Sequence, residues 1–175
     1  MSCTICSRCD FVSIDFGERF RNVNIEISIE NSLTSEVSQI LDIHLNFCKS
    51  VTPSGFSYAL DSSKLFAQNI TVFGARVDHE LVGIGALKRL EIDHGELKSM
   101  HTLAKSRGMG IGKALVAHIV TFAKNNGITR ISLETGTHEP FKPARKLYES
   151  LGYENCDAFG DYVLSQYNMC MTKLI

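Results

Sequence analysis

Apolar and polar residues recur with different periods along the chain, and each period predicts an element. In residues 23–29 every second residue is apolar, which is typical of a half-buried strand. After Thr34 the apolar residues recur at helical spacing as far as about Lys49, so we expect a helix there with an N-cap at its start. A weaker helical segment is predicted within residues 59–66.

The rest of the chain changes period several times, as a mixed α/β domain does. Strands are expected at 70–77, 81–90, 96–103 and 130–135, with a closing strand within 162–174, and helices are expected after residue 112 and around Pro143. The short turns between the first three of these strands predict an antiparallel meander. The fold class expected is therefore α/β, with a mixed sheet of the α+β kind in one domain.

Length and net charge limit the number of domains and the kinds of partner that we expect. A chain of 175 residues suits one domain, and 18 basic against 19 acidic residues give a formal charge of −1. We therefore expect no nucleic-acid partner, because such binders carry a basic surplus. No apolar run could span a bilayer and no export leader is evident, so no membrane partner and a cytoplasmic location are expected. Monomer and homodimer both stay open.

Three cysteines stand close together near the start of the chain. Cys3, Cys6 and Cys9 are spaced like metal ligands, but zinc normally has four ligands and no second pair follows nearby. We therefore expect no metal. Residues 1–20 are interpreted as a loosely ordered, dispensable extension, and residues 21–175 as the single domain.

A glycine-rich loop precedes the helix that follows residue 112. Residues 107–113 read RGMGIGK, a spacing that fits neither a Walker loop nor a dinucleotide fingerprint. Closely spaced glycines still let a ligand approach the backbone, and a helix start offers unpaired N–H groups. With Arg107 and Lys113 at its ends, the loop is predicted to bind an anion.

Two motifs resemble one family. Arg107-x-x-Gly110-x-Gly112 resembles the R/Q-x-x-G-x-G/A signature of the GNAT superfamily of acyl-CoA N-acyltransferases. Residues 143–153 resemble the family's A-x-x-L/F-Y-x-x-x-G-F/Y helix, and the run from 94 to 145 looks like bacterial acetyltransferases of the YsnE type. The resemblance covers 23–175. It implies a GNAT-like fold, with a central, mostly antiparallel sheet flanked by helices and splayed between the strands near 96–103 and 130–135.

The resemblance also implies acetyl-CoA as cosubstrate. Its pyrophosphate would lie on the loop amides and its pantetheine arm along the end of the 96–103 strand. The residues implied in binding are Met100, His101, Thr102, Arg107, Gly108, Met109, Gly110, Ile111, Gly112 and Lys113. Where many members carry an asparagine that contacts this arm, the chain has Phe141.

For the chemistry, the resemblance implies Tyr148 as the acid that protonates the departing thiolate and Glu96 as a general base. Glu134, on the neighbouring strand, is a second candidate at the substrate, and His101 or water also stays open. Strict alternation places His101 and Thr102 on opposite faces, but a bulge would exchange them, so the face that His101 occupies is undecided.

The function expected is N-acetylation of a primary amine on a small molecule or peptide. Because no Cys–His pair stands at a recognisable spacing, direct transfer in a ternary complex is the expected route. The acidic residues Glu96, Glu134, Asp157 and Asp161 favour a cationic amine, and loops near 50–66 and 155–167 are expected to set specificity. The alternative is a non-catalytic module that binds acyl-CoA or another polyphosphate.

Overall fold

The structure, a computed structural model, describes residues 10–12, of which only the backbone is considered, and residues 23–175. Its strands are β1 (Asp10–Val12), β2 (Ile25–Glu30), β3 (Ile70–Val77), β4 (Glu80–Arg89), β5 (His94–Thr102), β6 (Arg130–Gly136), β7 (Glu154–Cys156) and β8 (Asn168–Leu174). Its helices are α1 (Ser35–Val51), α2 (Ser62–Leu65), α3 (Ile111–Asn125) and α4 (Lys142–Ser150). The predicted elements of residues 23–175 are all present, with shifted ends. Neither β1 nor β7 was predicted, since three residues are too few to show a period.

The strands form one sheet whose order, in the described residues, is β1-β2-β3-β4-β5-β6-β8-β7. All neighbours are antiparallel except β5 and β6. Those two strands pair in parallel only where His94–Leu97 faces Arg130–Leu133. Beyond this point they separate, which confirms the predicted splay and the predicted mixed, mostly antiparallel sheet.

Helices cover both faces of the sheet. Thr34 caps α1 by accepting a hydrogen bond from the backbone N–H of Val37 at 3.3 Å. The apolar face of α1 packs with α2 on one face of the sheet, in a cluster that includes Leu41, Leu65 and Ile84. A second cluster, which includes Leu115 and Ile119 of α3, fills the other face. The sheet is therefore a rigid layer between two cores.

A β-bulge in β5 decides which face its last residues occupy. Ile84 pairs with His101 and Ala86 with Lys98, so Ser99 and Met100 together stand opposite one residue of β4. Ser99 adopts the left-handed conformation with φ of +51°. Beyond the bulge the ring of His101 lies 5.6 Å from that of His44 on α1. The bulge therefore places His101 on the α1 face, the alternative that the sequence left open.

The start of the chain is described only at its first strand. β1 pairs with β2 in antiparallel register and forms one edge of the sheet. Cys3, Cys6 and Cys9 lie outside the described residues. The dispensability of residues 1–20 stays a prediction.

Candidate active site

A cavity of about 440 Å³ opens where β5 and β6 separate. Its walls come from α1, the α1–α2 loop, β5, the glycine loop, the end of β6 and α4. The predicted site residues that line it are Met100, His101, Thr102, Arg107, Gly108, Gly110, Ile111, Gly112, Lys113, Glu134 and Tyr148. Met109 and Glu96 do not line it. The splay therefore brings together the glycine loop, a tyrosine and a carboxyl group.

Glu96 is fully buried beside the cavity. Its carboxylate accepts a hydrogen bond from Lys98 at 3.0 Å and another from the hydroxyl of Tyr162. Lys98 also donates to the oxygen of Tyr162, so the three side chains form a closed network. In this arrangement Glu96 neutralises the ammonium of Lys98. The structure does not bring Glu96 to the cavity wall, where sequence reasoning expected a base.

The glycine loop has the backbone that an anion site requires. Gly108 and Gly110 have φ of +78° and +80°, which residues with a Cβ rarely adopt. Gly110 is the N-cap of α3, so the N–H groups of the first turn point outward from the helix without partners inside it. A Cβ on Gly112 would lie 3.2 Å from Leu147, so the close approach of α4 also favours glycine here.

Tyr148 projects from α4 and is buried. Burial raises the pKa of its hydroxyl well above the usual value, so the phenol stays protonated at neutral pH. Its ring packs edge-on against Tyr153, with centroids 5.9 Å apart. Tyr148 therefore contributes a protonated phenol to the residues that line the cavity, and its role as the acid stays a prediction.

Glu134 lies on β6 past the point where pairing with β5 ends. Burial raises the pKa of its carboxyl group to about 7, although the charge of Lys98 and a hydrogen bond from Asn168 lower that pKa. Such a group gains and loses a proton near neutral pH. Of the two candidate carboxyl groups, Glu134 lines the cavity and Glu96 does not, and which group acts as the base stays a prediction.

Two histidines, the buried His101 and the half-buried His44, share the α1 side of the cavity. Burial lowers the pKa of both His44 and His101 to about 4, so both rings are neutral at pH 7. Nδ1 of His44, Nε2 of His101 and the hydroxyl of Ser99 are buried without hydrogen-bond partners. His44 and His101 both line the cavity.

A cysteine–histidine contact escaped the sequence analysis. Cys48 and His44 are four residues apart on α1, and the sulfur lies 3.8 Å from Nε2 of the imidazole. The i, i+4 spacing on a helix was the signal that could have revealed it. Burial raises the pKa of the thiol to about 11, so the pair lacks the thiolate that a nucleophile needs.

Phe141 occupies the place of the missing asparagine. Its ring packs so closely on the end of β6 that a Cβ on Gly136 would lie 2.3 Å from a ring carbon. The ring of Phe47 meets it edge-on at 5.2 Å. Phe141 thus connects β6 with α1 across the cavity. Sequence reasoning missed Phe47 and the aromatic residues Phe56, Tyr58 and Tyr167, which also line the cavity.

In the ranges that the structure describes, no group of three or more histidine, cysteine or acidic side chains is arranged to hold a metal ion. Nor does any helix within those ranges have the length and apolar character needed to cross a bilayer.

Comparison with known proteins places this site in a family. The Acetyltransferase (GNAT) family profile matches residues 38–153. The chain is 39% identical over 149 residues to YsnE of Bacillus subtilis, an uncharacterized N-acetyltransferase, covering 85% of this chain and 99% of that protein.

Solved structures agree with this comparison. A Klebsiella pneumoniae protein described as an acyl-CoA N-acyltransferase is 26% identical, with a TM-score of 0.73 and coverage of 86% of this chain and 97% of that one. A GNAT acetyltransferase from Elizabethkingia anophelis, solved with acetyl-CoA bound, shares the fold at 15% identity, with a TM-score of 0.59 and coverage of 86% and 98%. This chain therefore belongs to the GNAT family of acetyltransferases.

Proposed function

We propose that the protein is an N-acetyltransferase that moves the acetyl group of acetyl-CoA to a primary amine by direct transfer in a ternary complex. One observation carries the proposal: an anion-binding loop, a protonated tyrosine and a carboxyl group with a pKa near 7 all face one cavity. These are the parts that acyl transfer to an amine requires.

The residues of the loop and of β5 fit acetyl-CoA. Amides from residues 108–113, including that of Met109, would bind the pyrophosphate together with Arg107 and Lys113. The bulge leaves Ser99 and Met100 without register partners on β4, and β6 has already diverged. Their backbone groups, with those of 101–102, are therefore suited to bind the pantetheine arm and the thioester carbonyl.

In the proposed reaction the bound ammonium first gives a proton to the carboxylate of Glu134. The amine nitrogen then forms a bond to the thioester carbon, and the carbon–sulfur bond breaks. Tyr148 donates its proton to the departing sulfur and recovers one from the nitrogen that becomes the amide. The net products are amide, thiol and the proton that Glu134 releases to solvent. Since Glu96 accepts a hydrogen bond from Lys98, we propose that Glu96 holds that ammonium group in place.

Release of thiol from acetyl-CoA with a panel of primary amines tests the proposal, and Tyr148→Phe tests its acid. Since this variant keeps the ring and loses the hydroxyl, kcat should fall by roughly 10²-fold while acetyl-CoA affinity holds. Tyr153→Phe is the matched control, because Tyr153 is also buried but lies outside the cavity wall, and its kcat should hold. A wild-type protein that binds acetyl-CoA but releases no thiol with any amine would instead be a non-catalytic module.

A further inference from the structure

Aromatic rings form much of the cavity wall away from the glycine loop. The five that line it are Phe47, Phe56, Tyr58, Phe141 and Tyr167. Phe56 is 41% exposed, which is a large exposed fraction for a phenylalanine, and the other four are only half-buried. Part of each ring is therefore accessible from the cavity, although one face of Tyr167 stacks on the ring of His138 at 5.5 Å.

These rings are held in place by one another. Phe56 of the α1–α2 loop meets Tyr167 edge-on at 4.8 Å, and Tyr58 of the same loop meets Tyr162 at 4.9 Å. The hydroxyl of Tyr58 also accepts a hydrogen bond from the backbone N–H of Val163 at 3.3 Å. The α1–α2 loop and the β7–β8 loop are thus joined beside the cavity, and their rings form a preorganised surface.

Glu134 is the one acidic residue among the described residues that line the cavity. The charged residues that line the cavity are Lys98, Arg107, Lys113 and Glu134. Arg107 and Lys113 belong to the glycine loop, and Lys98 is paired with the buried carboxylate of Glu96. Outside the cavity wall, Arg145 donates to the carbonyl oxygens of Gly136 and His138. An acceptor therefore meets Glu134 as its counter-charge, whereas a carboxylate on the acceptor would lack one.

Taking the proposed acetyl transfer as given, we propose that the acceptor is a primary amine carried on an aromatic body without a carboxylate. Its ammonium lies at Glu134, and its ring packs against Phe56 and Tyr167. Aromatic pairs prefer the offset and edge-to-face contacts that this wall offers. The same rings stabilise the ammonium on its way to Glu134 through their negative faces.

Steady-state kinetics with saturating acetyl-CoA test the acceptor class through three matched amines. 2-Phenylethylamine should have a kcat/KM at least tenfold above n-butylamine, which keeps the amine and lacks the ring. Phenylalanine, which adds only a carboxylate, should be at least 100-fold poorer than 2-phenylethylamine, because the added charge is desolvated without a partner.

Phe56→Leu and Tyr167→Leu should raise the KM for 2-phenylethylamine about tenfold and leave the KM for acetyl-CoA and the kinetics of n-butylamine nearly unchanged. Phe159→Leu is the control, because Phe159 makes a similar edge-on aromatic contact, with Tyr162, but does not line the cavity. Calorimetric binding of 2-phenylethylamine to the CoA complex of each variant gives a readout that does not depend on turnover.

The outcomes separate this inference from the proposed function. Equal thiol release with n-butylamine would overturn the aromatic body of the acceptor, and equal release with phenylalanine would overturn the exclusion of a carboxylate. Either outcome leaves the acetyltransferase intact. Binding of 2-phenylethylamine that weakens in Phe56→Leu, without any thiol release, would support the aromatic site and overturn the acetyl transfer. Unchanged binding and kinetics in both leucine variants would also overturn the inference.

Discussion

Burial and charge act in opposite directions on the carboxyl group of Glu134. Burial raises its pKa, and so does the charge of Glu96, while Lys98 and Asn168 lower it, with a pKa of about 7 as the result. A base with such a pKa is substantially ionised near neutral pH and can still hold the proton it has accepted. The environment of this residue therefore matches the proposed task better than that of a solvated glutamate.

Glu134→Gln should remove the rise of kcat/KM that we expect between about pH 6 and pH 8. The rise follows from the sign of ionisation, since the carboxylate form accumulates as the pH increases through a pKa of about 7. At pH 8 the rate should fall by 10²-fold or more. The measurement is the pH profile of kcat/KM for one amine, with Glu149→Gln as control on the exposed face of α4. If Glu134→Gln kept both the rate and the pH profile, the base would be His101 or water instead of Glu134.

Single residues differ in how far the sequence predicts their roles. Tyr148 and the glycine loop stand in local motifs, so their positions could be predicted from nearby residues alone. Glu96 could not, because its carboxylate is engaged by Tyr162, which lies 66 residues further along the chain. Only the folded path of the β7–β8 loop brings that hydroxyl to β5.

Among the elements, β5 shows where periodicity fails. Strict alternation describes β5 as far as Lys98, and the extra residue of the bulge then reverses it. Ser99 takes φ of +51°, a conformation that serine seldom adopts and that carries no signature in the sequence. Such strain at a cavity wall is typical of functional sites.

The start of α3 yields a prediction about charge. Gly110→Asp should weaken acetyl-CoA binding by well over tenfold, because a carboxylate would lie where the loop amides receive phosphate. Gly110→Asn has nearly the same shape without the charge, and asparagine tolerates the left-handed conformation of this position, where φ is +80°. Calorimetric titration should therefore show the large loss only for aspartate. Equal affinities for the two variants would exclude the loop from phosphate binding.

At the scale of the whole molecule, the site depends on segments that are distant in sequence. The sequence predicts that loops near 50–66 and 155–167 set specificity, and residues of both, such as Phe56 and Tyr167, line the cavity. It did not predict that Phe56 would meet Tyr167, because contacts between loops carry no period. The sheet and its splay were predictable because the hydrophobic pattern and the motifs are formed by residues close together in the sequence. The aromatic wall of the cavity was not, because tertiary packing brings its residues together from distant segments.

The free energy of unfolding should depend on pH through His44 and His101. Their pKa values are about 4 in the folded protein, mainly through burial, with the charges of His101 and then Lys98 acting on His44 and that of Arg107 on His101. In the unfolded chain a histidine has a pKa of about 6.5. As the pH falls from about 6.5 to 4, these two histidines bind protons in the unfolded chain but not in the folded protein. The free energy of unfolding therefore decreases.

We therefore expect the double variant His44→Gln, His101→Gln to lose about 3–5 kcal/mol less stability than the wild type between pH 7 and pH 4.5. Denaturant unfolding at the two pH values measures this difference directly. His79→Asn, which removes an exposed histidine in the β3–β4 turn, provides the control. If the double variant and the wild type lost the same free energy, the acid sensitivity would belong to other groups, and the neutral state of the histidine pair would have no bearing on the stability of the fold.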